Sequence, residues 1–561
     1  MRYSKLFGKT QHSAVKPGKF ASHELLMKGG YIQESVAGRY FFLPLGWRVH
    51  EKIKAVIKEE MDRAGAQEMI SPVLHPLELW QETNRTNTTG FELMKVTDRR
   101  GAEFALGGTA EEMFVDVVRK FQLSYKDLPF NIYQFSTKFR DELRARGGLL
   151  RVREFVMKDA YSFHVDAQDF KTEYDSMAAT YQRIFERLGL TTHMVEADNG
   201  YIGGEYCHEF QVEHDEGEGR FFVSEDGKYR AHEDVAKFEV DLKNAGDEPA
   251  AYQEVEAVRG KTMEDGVKLH DLPLWQQLKD VMFADRQGKL YLALVRGDLD
   301  VNKTKLEQVL DKVGQLEAAS DDQIIEVGSY PGFISPVGLE EKVTIVADQS
   351  LRSVTNLYGG ANAKNRDALN MVQDRDFKAH LEADIAMAQA GFEAPDGHGK
   401  LVEKRGIEVG NIFQLGHHYT SLMKAATFTD NDGTGQPYYM GCYGIGLGRT
   451  LATVVEKHHD ERGIVWPKEI APYQVQLISL SGAEERAEAV YNQLLDQGIE
   501  VLWDDRAESP GSKFASSDLI GAPIRLVISA KTGQQIEWKE RGSQSVELLE
   551  VEQAIARLQK S

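Results

Sequence analysis

Cysteine is nearly absent from this chain: two occur in 561 residues, Cys207 and Cys442, so a disulfide framework is excluded and a reducing cytoplasm is expected. Long apolar runs are missing as well. No stretch approaches the roughly 18–20 consecutive apolar residues that a membrane span requires, and no membrane association is expected. The first residues, Met1 to Lys9, carry charge where a secretory leader would place its apolar stretch. Basic residues are in deficit: 67 Lys and Arg stand against 88 Asp and Glu, a formal net charge of −21. That excludes a protein that coats nucleic acid through a uniformly basic surface, but leaves room for a local basic groove. Internal repeats and low-complexity tracts are absent too. What remains is an ordinary globular composition, 42% hydrophobic and 28% charged, long enough for several domains with separate cores.

The pattern along the chain divides it. Val49, Ile53, Val56, Ile57 and Met61 recur at helical spacing and predict a helix over 47–64, stopped by Gly65; residues 68–74 then read as a strand interrupted by Pro72. Two extended runs, 131–142 and 153–163, with Gly147 and Gly148 between them, predict an antiparallel hairpin with a wide, arginine-rich loop. From 221 to 391 the texture is acidic and poor in motifs, with strands expected at 291–295 and 343–347 and a helix at 303–313, an inserted α+β domain. Core texture returns with strands at 407–415 and 438–446 and an amphipathic helix carrying Leu451, Val454 and Val455. Behind Pro467 and Pro472, strands at 474–480, 500–503, 524–529 and 536–539 and a helix at 484–497 read as a small α/β domain. The expected division is 1–220 with 392–470 as one core, 221–391 as the insertion and 471–561 as the last domain.

Two constellations carry chemistry. In a strand, residues two apart share a face, so Arg140 goes with Glu142, and Arg151 and Arg153 with Phe155 if the second strand already begins at Arg151. A guanidinium, a carboxylate and a ring suit a nucleotide's phosphate, amino group and base; cross-strand ion pairs would explain the same residues. The second is the run from Gly441 to Arg449. A dinucleotide fingerprint fails there, because its third glycine would fall at Arg449. Instead glycines lead into a helix with Arg449 in its first turn, where backbone N–H groups and a guanidinium converge on an anion; close packing of a glycine-rich strand end is the alternative.

With the helix, Gly65 and Pro72 placed first, these form an ordered trio that resembles the three signature motifs of class II aminoacyl-tRNA synthetases. Motif 2 falls on Phe139, Arg140, Glu142, Arg151 and Phe155, and motif 3 on Gly444, Gly446, Gly448 and Arg449. Longer stretches, 137–142, 154–163, 404–410, 412–416 and 440–446, resemble the bacterial-type prolyl-tRNA synthetases. The resemblance implies an antiparallel-sheet catalytic core, an inserted α+β editing domain and a C-terminal α/β anticodon-binding domain. It implies ATP-dependent activation of proline to prolyl-adenylate, transfer to the 3′ end of tRNA(Pro), Mg²⁺ at the phosphates, no structural metal, and a homodimer built through motif 1.

Role by role, the resemblance places Arg140 on the α-phosphate and proline's carboxylate, Glu142 on the adenine amino group, Phe155 and Arg449 on the two faces of adenine, and Arg151 on the outer phosphates. Glu408 and Gln414 fall near the metal, Thr109 and Glu111 at proline's ammonium, and Cys442 in the pocket wall. Departures from the family pattern occur at Ala110, Asn411, Cys207 and the loop 144–148. In the insertion, Lys279, Gly332, Pro336 and Asp348 match the family's editing site, which hydrolyses alanyl-tRNA, while Asp367 replaces a histidine; a solvated helix lysine is the alternative for Lys279. Arg506 and Lys513 match anticodon-reading positions, with surface ion pairs as the alternative. The rival functions are another class II specificity, or a tRNA-binding regulator without ligase activity. The regulator predicts a loss among Arg140, Glu142, Phe155 and Arg449, and all four are present.

Overall fold

Leu45, Val49, Ile53, Ile57 and Met61 are completely buried along one side of the helix Pro44–Arg63, which Pro44 opens at a position where its missing N–H costs nothing. Gly65, at φ +85°, takes the left-handed conformation that ends it. The chain then departs from the single strand expected over 68–74. Gln67–Glu68 pairs parallel with the strand Phe130–Phe139, whereas Leu74–Pro76 pairs antiparallel with Glu103–Leu106 in another sheet. Pro72, with no N–H to donate, lies between the two short strands.

The computed structural model describes residues 1–11, 19–86 and 93–560. They form two compact units, one of Met1–His193, Glu209–Glu216 and Ile407–Ser561, the other of Met194–His208 and Gly217–Gly406. In the first unit the sheet runs in the order Gln67–Glu68, Phe130–Phe139, Glu154–His164, Tyr439–Gly446, and the part of Leu401–Gly416 beyond Ile407. The hairpin is antiparallel, with Phe130 opposite Phe163 and Phe139 opposite Glu154. The helix Ala167–Arg187 lies against this sheet so closely that a Cβ at Gly410 would stand 3.0 Å from Phe185 Cζ.

The hairpin strands are shorter than expected. They stop at Phe139 and restart at Glu154. Between them Gly147 and Gly148 take φ of +66° and +61°, a 3₁₀ turn occupies Gly148–Leu150, and Arg146 bridges Arg151. Arg140, Glu142 and Arg151 are therefore loop residues, and strand alternation does not place them.

Towards the C-terminus Val501–Asp504, Val475–Ser479 and Ile524–Ile528 are parallel, and Ile536–Glu540 and Glu547–Leu549 continue the sheet antiparallel. The strand Glu547–Leu549 and the helix Val551–Lys560 were not expected from the sequence. This region is tied to the rest of its unit by buried polar contacts. Trp466 Nε1 donates to Tyr31 Oη at 2.8 Å and to the Ile520 carbonyl at 3.0 Å, and the Tyr31 hydroxyl donates to the same carbonyl.

In the second unit a sheet runs in the order Glu317–Ala318, Leu278–Ala284, Leu290–Arg296, Thr344–Asp348, Leu381–Ala383. Alternation divides its side chains cleanly: Leu278, Met282, Leu292, Leu294 and Ile345 enter one apolar cluster, and Phe283, Tyr291, Ala293, Val295 and Val346 the other. The expected borders at 221 and 391 fall inside this unit, because Gly219–Ser224 pairs with residues 401–406. The helix expected to reach 313 ends at Val309, before Asp311 and Gly314 turn left-handed.

Tyr31→Phe keeps the ring packing but removes a buried hydroxyl that both donates and accepts. It is expected to cost about 1–3 kcal/mol, seen as a lower thermal transition; an unchanged transition would show that this contact does not hold the C-terminal region.

Candidate active site

A pocket opens between the hairpin loop, residues 408–411 and the start of the helix Leu447–Lys457, and Arg140, Glu142, Arg151, Phe155, Glu408 and Arg449 all line it. A tight turn, with Glu142 N–H donating to Arg140 O at 2.8 Å, brings the first two round. The charges are closed on one another across the pocket. Arg151 grips Glu142 through Nε and Nη2 at 3.0 and 2.7 Å, and Arg449 Nη1 lies 2.8 Å from Glu408 Oε2. Asn411 Nδ2 donates to the other Glu408 oxygen at 3.0 Å. Arg140 lies 5.3 Å over the Phe155 ring and donates through Nε to Gly108 O at 3.2 Å. Gly446 lies between Arg449 and Phe155, where an added Cβ would stand 3.9 Å from Arg449 Cβ and 4.0 Å from Phe155 Cδ2. A flat aromatic ligand fits that chemistry.

Thr109, Glu111 and Cys442 do not line this pocket; they form a buried cluster of their own. Thr109 Oγ1 donates to the Glu111 carboxylate at 2.7 Å, and Cys442 Sγ lies 3.3 Å from Glu111 Oε1. Glu111 and Glu112 open the helix Glu111–Val118 with no exposed surface, which excludes a solvated helix-start glutamate. Arg85 holds the pair of acids, with Nη1 3.3 Å from Glu111 Oε2 and 2.8 Å from Glu112 Oε1. Burial, and then the Glu111 charge, push Glu112 up against the pull of Arg85. Burial first and Glu111 second push the Cys442 thiol well up, which favours its protonated form.

Beneath this cluster Tyr161 Oη accepts the Ala110 N–H at 3.0 Å and donates to Asp159 Oδ2 at 3.0 Å, and Lys138 Nζ pairs with the same oxygen at 3.0 Å. Lys158, on the opposite face of the strand, is wholly buried, and desolvation pulls its pKa down to about 7. Sequence reasoning missed Asp159 and Tyr161, although alternation from Phe155 points to both. Arg85 gave no signal, being a loop arginine outside every motif. Gln414 is turned towards Tyr439 Oη at 2.5 Å and lies outside the pocket.

In the second unit Lys279 sits on the strand Leu278–Ala284, not on a helix, with Nζ 2.6 Å from Leu299 O and 2.7 Å from Asp300 Oδ1. Asp348 is buried and accepts from the N–H groups of Ser350, Ile385 and Ala386 at 2.8–2.9 Å. Lys279 and Asp348 share the face of Phe283 and Val346, whereas Ile334, between Gly332 and Pro336, packs against the opposite cluster. The four expected residues are thus divided, with Lys279 and Asp348 on one face and the stretch between Gly332 and Pro336 packed on the other. Asp367 is held by Arg259 at 2.6 and 2.7 Å and by His270 Nε2 at 2.8 Å.

In the C-terminal region both candidate anticodon-reading residues are engaged by protein groups. Lys513 is interior, its ammonium taken by the carbonyls of Ser479 at 2.6 Å and Asp504 at 3.3 Å. Arg506 is folded back on the Asp504 carboxylate at 2.7–2.9 Å and over the Tyr3 ring.

Among the described residues no helix is long and apolar enough to cross a membrane, and no group of three or more His, Cys, Asp or Glu is placed to hold a metal.

Comparison with known proteins gives the family. A family model described as the tRNA synthetase class II core domain (G, H, P, S and T) matches residues 94–458, and one described as an anticodon binding domain matches 474–561. The chain is 43% identical to the proline–tRNA ligase of Citrifermentans bemidjiense across 100% of its own length and 98% of that protein. It is 40% identical to the proline–tRNA ligase of Bacillus subtilis across 96% and 95%. The crystal structure of prolyl-tRNA synthetase from Cryptosporidium parvum complexed with halofuginone and AMPPNP shares the fold at a TM-score of 0.57 and 14% identity, over 97% of this chain and 78% of that one. The chain belongs to the proline–tRNA ligases of bacterial type, ATP-dependent class II aminoacyl-tRNA synthetases.

Proposed function

We propose that the ligase reaction takes place where the hairpin-loop pocket meets the Thr109–Glu111 cluster, with Arg140 joining the two. The observation that carries this reading is Arg140 itself: its Nε is bonded to Gly108 O, next to Thr109, while its guanidinium lies over Phe155 in the pocket. A proline carboxylate and the α-phosphate of ATP both find a cation there. The carboxylate oxygen attacks the α-phosphorus and pyrophosphate leaves, giving prolyl-adenylate. The 3′-terminal ribose hydroxyl of tRNA(Pro) then attacks the prolyl carbonyl, and AMP leaves. Positioning and charge stabilisation carry both steps, since no side chain forms a covalent bond.

Phe155 and Arg449 take the two faces of adenine, and Glu142 accepts from its amino group. The ion pairs Arg151–Glu142 and Arg449–Glu408 open as the nucleotide enters, and each arginine exchanges a carboxylate for a nucleotide contact. Arg151 then serves the outer phosphates. Glu408, a carboxylate in the pocket wall, is the residue suited to hold Mg²⁺. That ion, when bound, neutralises phosphate charge. Thr109 and Glu111 receive proline's ammonium, and protonated Cys442 closes the wall.

The inserted unit hydrolyses alanyl-tRNA made in error, a step with a physical motive: a pocket shaped for proline rejects a smaller apolar amino acid weakly. Lys279 and Asp348, together on one face of its sheet, support this reading. The C-terminal region reads the anticodon through side chains other than Lys513. Two copies associate around the helix Pro44–Arg63, where Val36, Phe41, Trp47 and Ile70 leave apolar surface exposed. The protein works in the cytoplasm, where its two thiols stay reduced.

Two measurements test these assignments. Glu111→Gln removes the charge that meets proline's ammonium, so kcat/KM for proline in ATP–pyrophosphate exchange should fall about tenfold to a hundredfold with the KM for ATP little changed; a normal response to proline would take Glu111 out of the site. Lys279→Ala should abolish alanyl-tRNA deacylation while proline charging continues, and deacylation at the wild-type rate would remove Lys279 from the hydrolytic site.

A further inference from the structure

Lys279 and Asp348 each grip backbone, and the two segments they grip are paired with each other. Lys279 Nζ holds Leu299 O and Asp300 Oδ1, and Asp348 Oδ2 accepts the N–H groups of Ile385 and Ala386. Met387 N–H donates to Asp300 O at 2.8 Å and Asn302 N–H to Ile385 O at 2.8 Å, which ties one segment to the other. Leu299, Leu306, Ile385 and Ala386 all enter the cluster of Phe283 and Val346, so these segments cover the sheet face that Lys279 and Asp348 share. Beside them Lys305 is buried, with its ammonium on both Asp384 oxygens at 2.9 and 3.0 Å and on Ala386 O at 2.9 Å. That ion pair forms part of the wall of a cavity whose lining lies wholly within the second unit.

The charged lining of the cavity is Glu196, Glu205 and Asp384 against Lys237 and Lys305, an excess of one acid, so a cation is better received there than an anion. Lys305 and Asp384 neutralise one another. The Glu196 carboxylate and the Lys237 ammonium, by contrast, take part in no hydrogen bond or ion pair among the described residues. Glu196 is partly buried, and its charge is felt inside the cavity: burial first and Glu196 second push the hydroxyl of Tyr206, another lining residue, up to about 12. Ala197, Val235 and Val309 add short apolar side chains to the wall. An unpaired carboxylate next to short apolar groups matches a ligand that carries an ammonium beside a small apolar side chain.

We propose that this cavity receives the aminoacyl end of alanyl-tRNA, with Glu196 taking the α-ammonium and Ala197, Val235 and Val309 bounding the methyl group. The proposal rests on the reading of the second unit as a hydrolytic editing domain and names the cavity that recognises its substrate. Lys279 and Asp348 are then positioning residues: they brace the paired segments that carry the Lys305–Asp384 wall. Hydrolysis breaks the ester C–O bond: the water oxygen ends on the aminoacyl carbonyl carbon, and the ribose oxygen leaves with a proton. Glu196 holds the substrate and exchanges no atom with it.

The test compares wild type, Glu196→Gln and Val309→Trp, each as the full chain, on alanyl-tRNA(Pro) and on lactyl-tRNA(Pro), in which a hydroxyl stands in place of the ammonium. Wild type should favour alanyl-tRNA. Glu196→Gln should lose on the order of tenfold to a hundredfold in kcat/KM on alanyl-tRNA, chiefly through KM, and treat the two esters alike. Val309, 37% exposed, can take a larger side chain without disturbing the core, and Val309→Trp should slow hydrolysis of both esters by filling the cavity. Proline charging and the melting temperature should be unchanged in both variants, which separates these losses from misfolding. An active wild type that is indifferent to the ammonium, or is matched by Glu196→Gln on alanyl-tRNA or by Val309→Trp on both esters, overturns the proposal and leaves the editing reading standing. A wild type that leaves alanyl-tRNA intact overturns the editing reading and the proposal with it.

Discussion

Charge buried under the candidate active site is the constraint on which the rest of the site depends. Lys138 and Asp159 are almost completely buried, and so are Arg85, Glu111 and Glu112. Ions taken out of water are tolerated only when paired and hydrogen-bonded, and removing one partner leaves the other stranded at a cost of several kcal/mol. The contacts therefore come as a set. Asp159 gathers Lys138, Gln134 and Tyr161 on one oxygen, and Tyr161 in turn receives the Ala110 N–H. Through that chain the two hairpin strands hold the Thr109–Glu111 turn in place. A small amino acid offers few atoms for recognition, so a rigid, pre-paid arrangement of acceptors is the physical route to selectivity.

The hairpin-loop pocket follows the opposite rule. Its charges are partly exposed and satisfied by one another, Arg151 with Glu142 and Arg449 with Glu408. Exposed pairs of this kind are worth little, so opening them for a nucleotide costs little. In the proposed reaction a stiff cluster receives the amino acid and exchangeable ion pairs receive the nucleotide, and Arg140 is the residue common to both. In the inserted unit Asp280 is a third case, a carboxylate whose Oδ1 is buried with no partner among the described residues.

Much of this was legible from residue order. The apolar stripe of Val49, Ile53, Ile57 and Met61 is a local property of helix geometry, and the alternation in 131–139 and 154–163 is a local property of strands. Arg140, Glu142, Arg151, Phe155 and Arg449 stood out because glycines and a hairpin framed them. Arg85 did not, since a loop arginine shows its worth only through the two glutamates it meets. Lys513 misled for the converse reason: a lysine in a motif reads as a surface cation, and nothing in the sequence says that two backbone carbonyls take its ammonium inside.

The sequence by itself determined the helix and strand periods, the order of the three motifs, and through them the family and its chemistry, because these depend on spacing along one chain. Only the tertiary structure decided which charges meet. It ended the hairpin strands at Phe139 and Glu154, so that a loop, and not strand alternation, brings Arg140 and Glu142 into the pocket. It set Lys279 and Asp280 on opposite faces in unlike surroundings, and it drew Thr109, Glu111 and Cys442 into one cluster. Pairing of buried charge depends on distances through space between residues far apart in sequence, and a linear pattern carries no record of them.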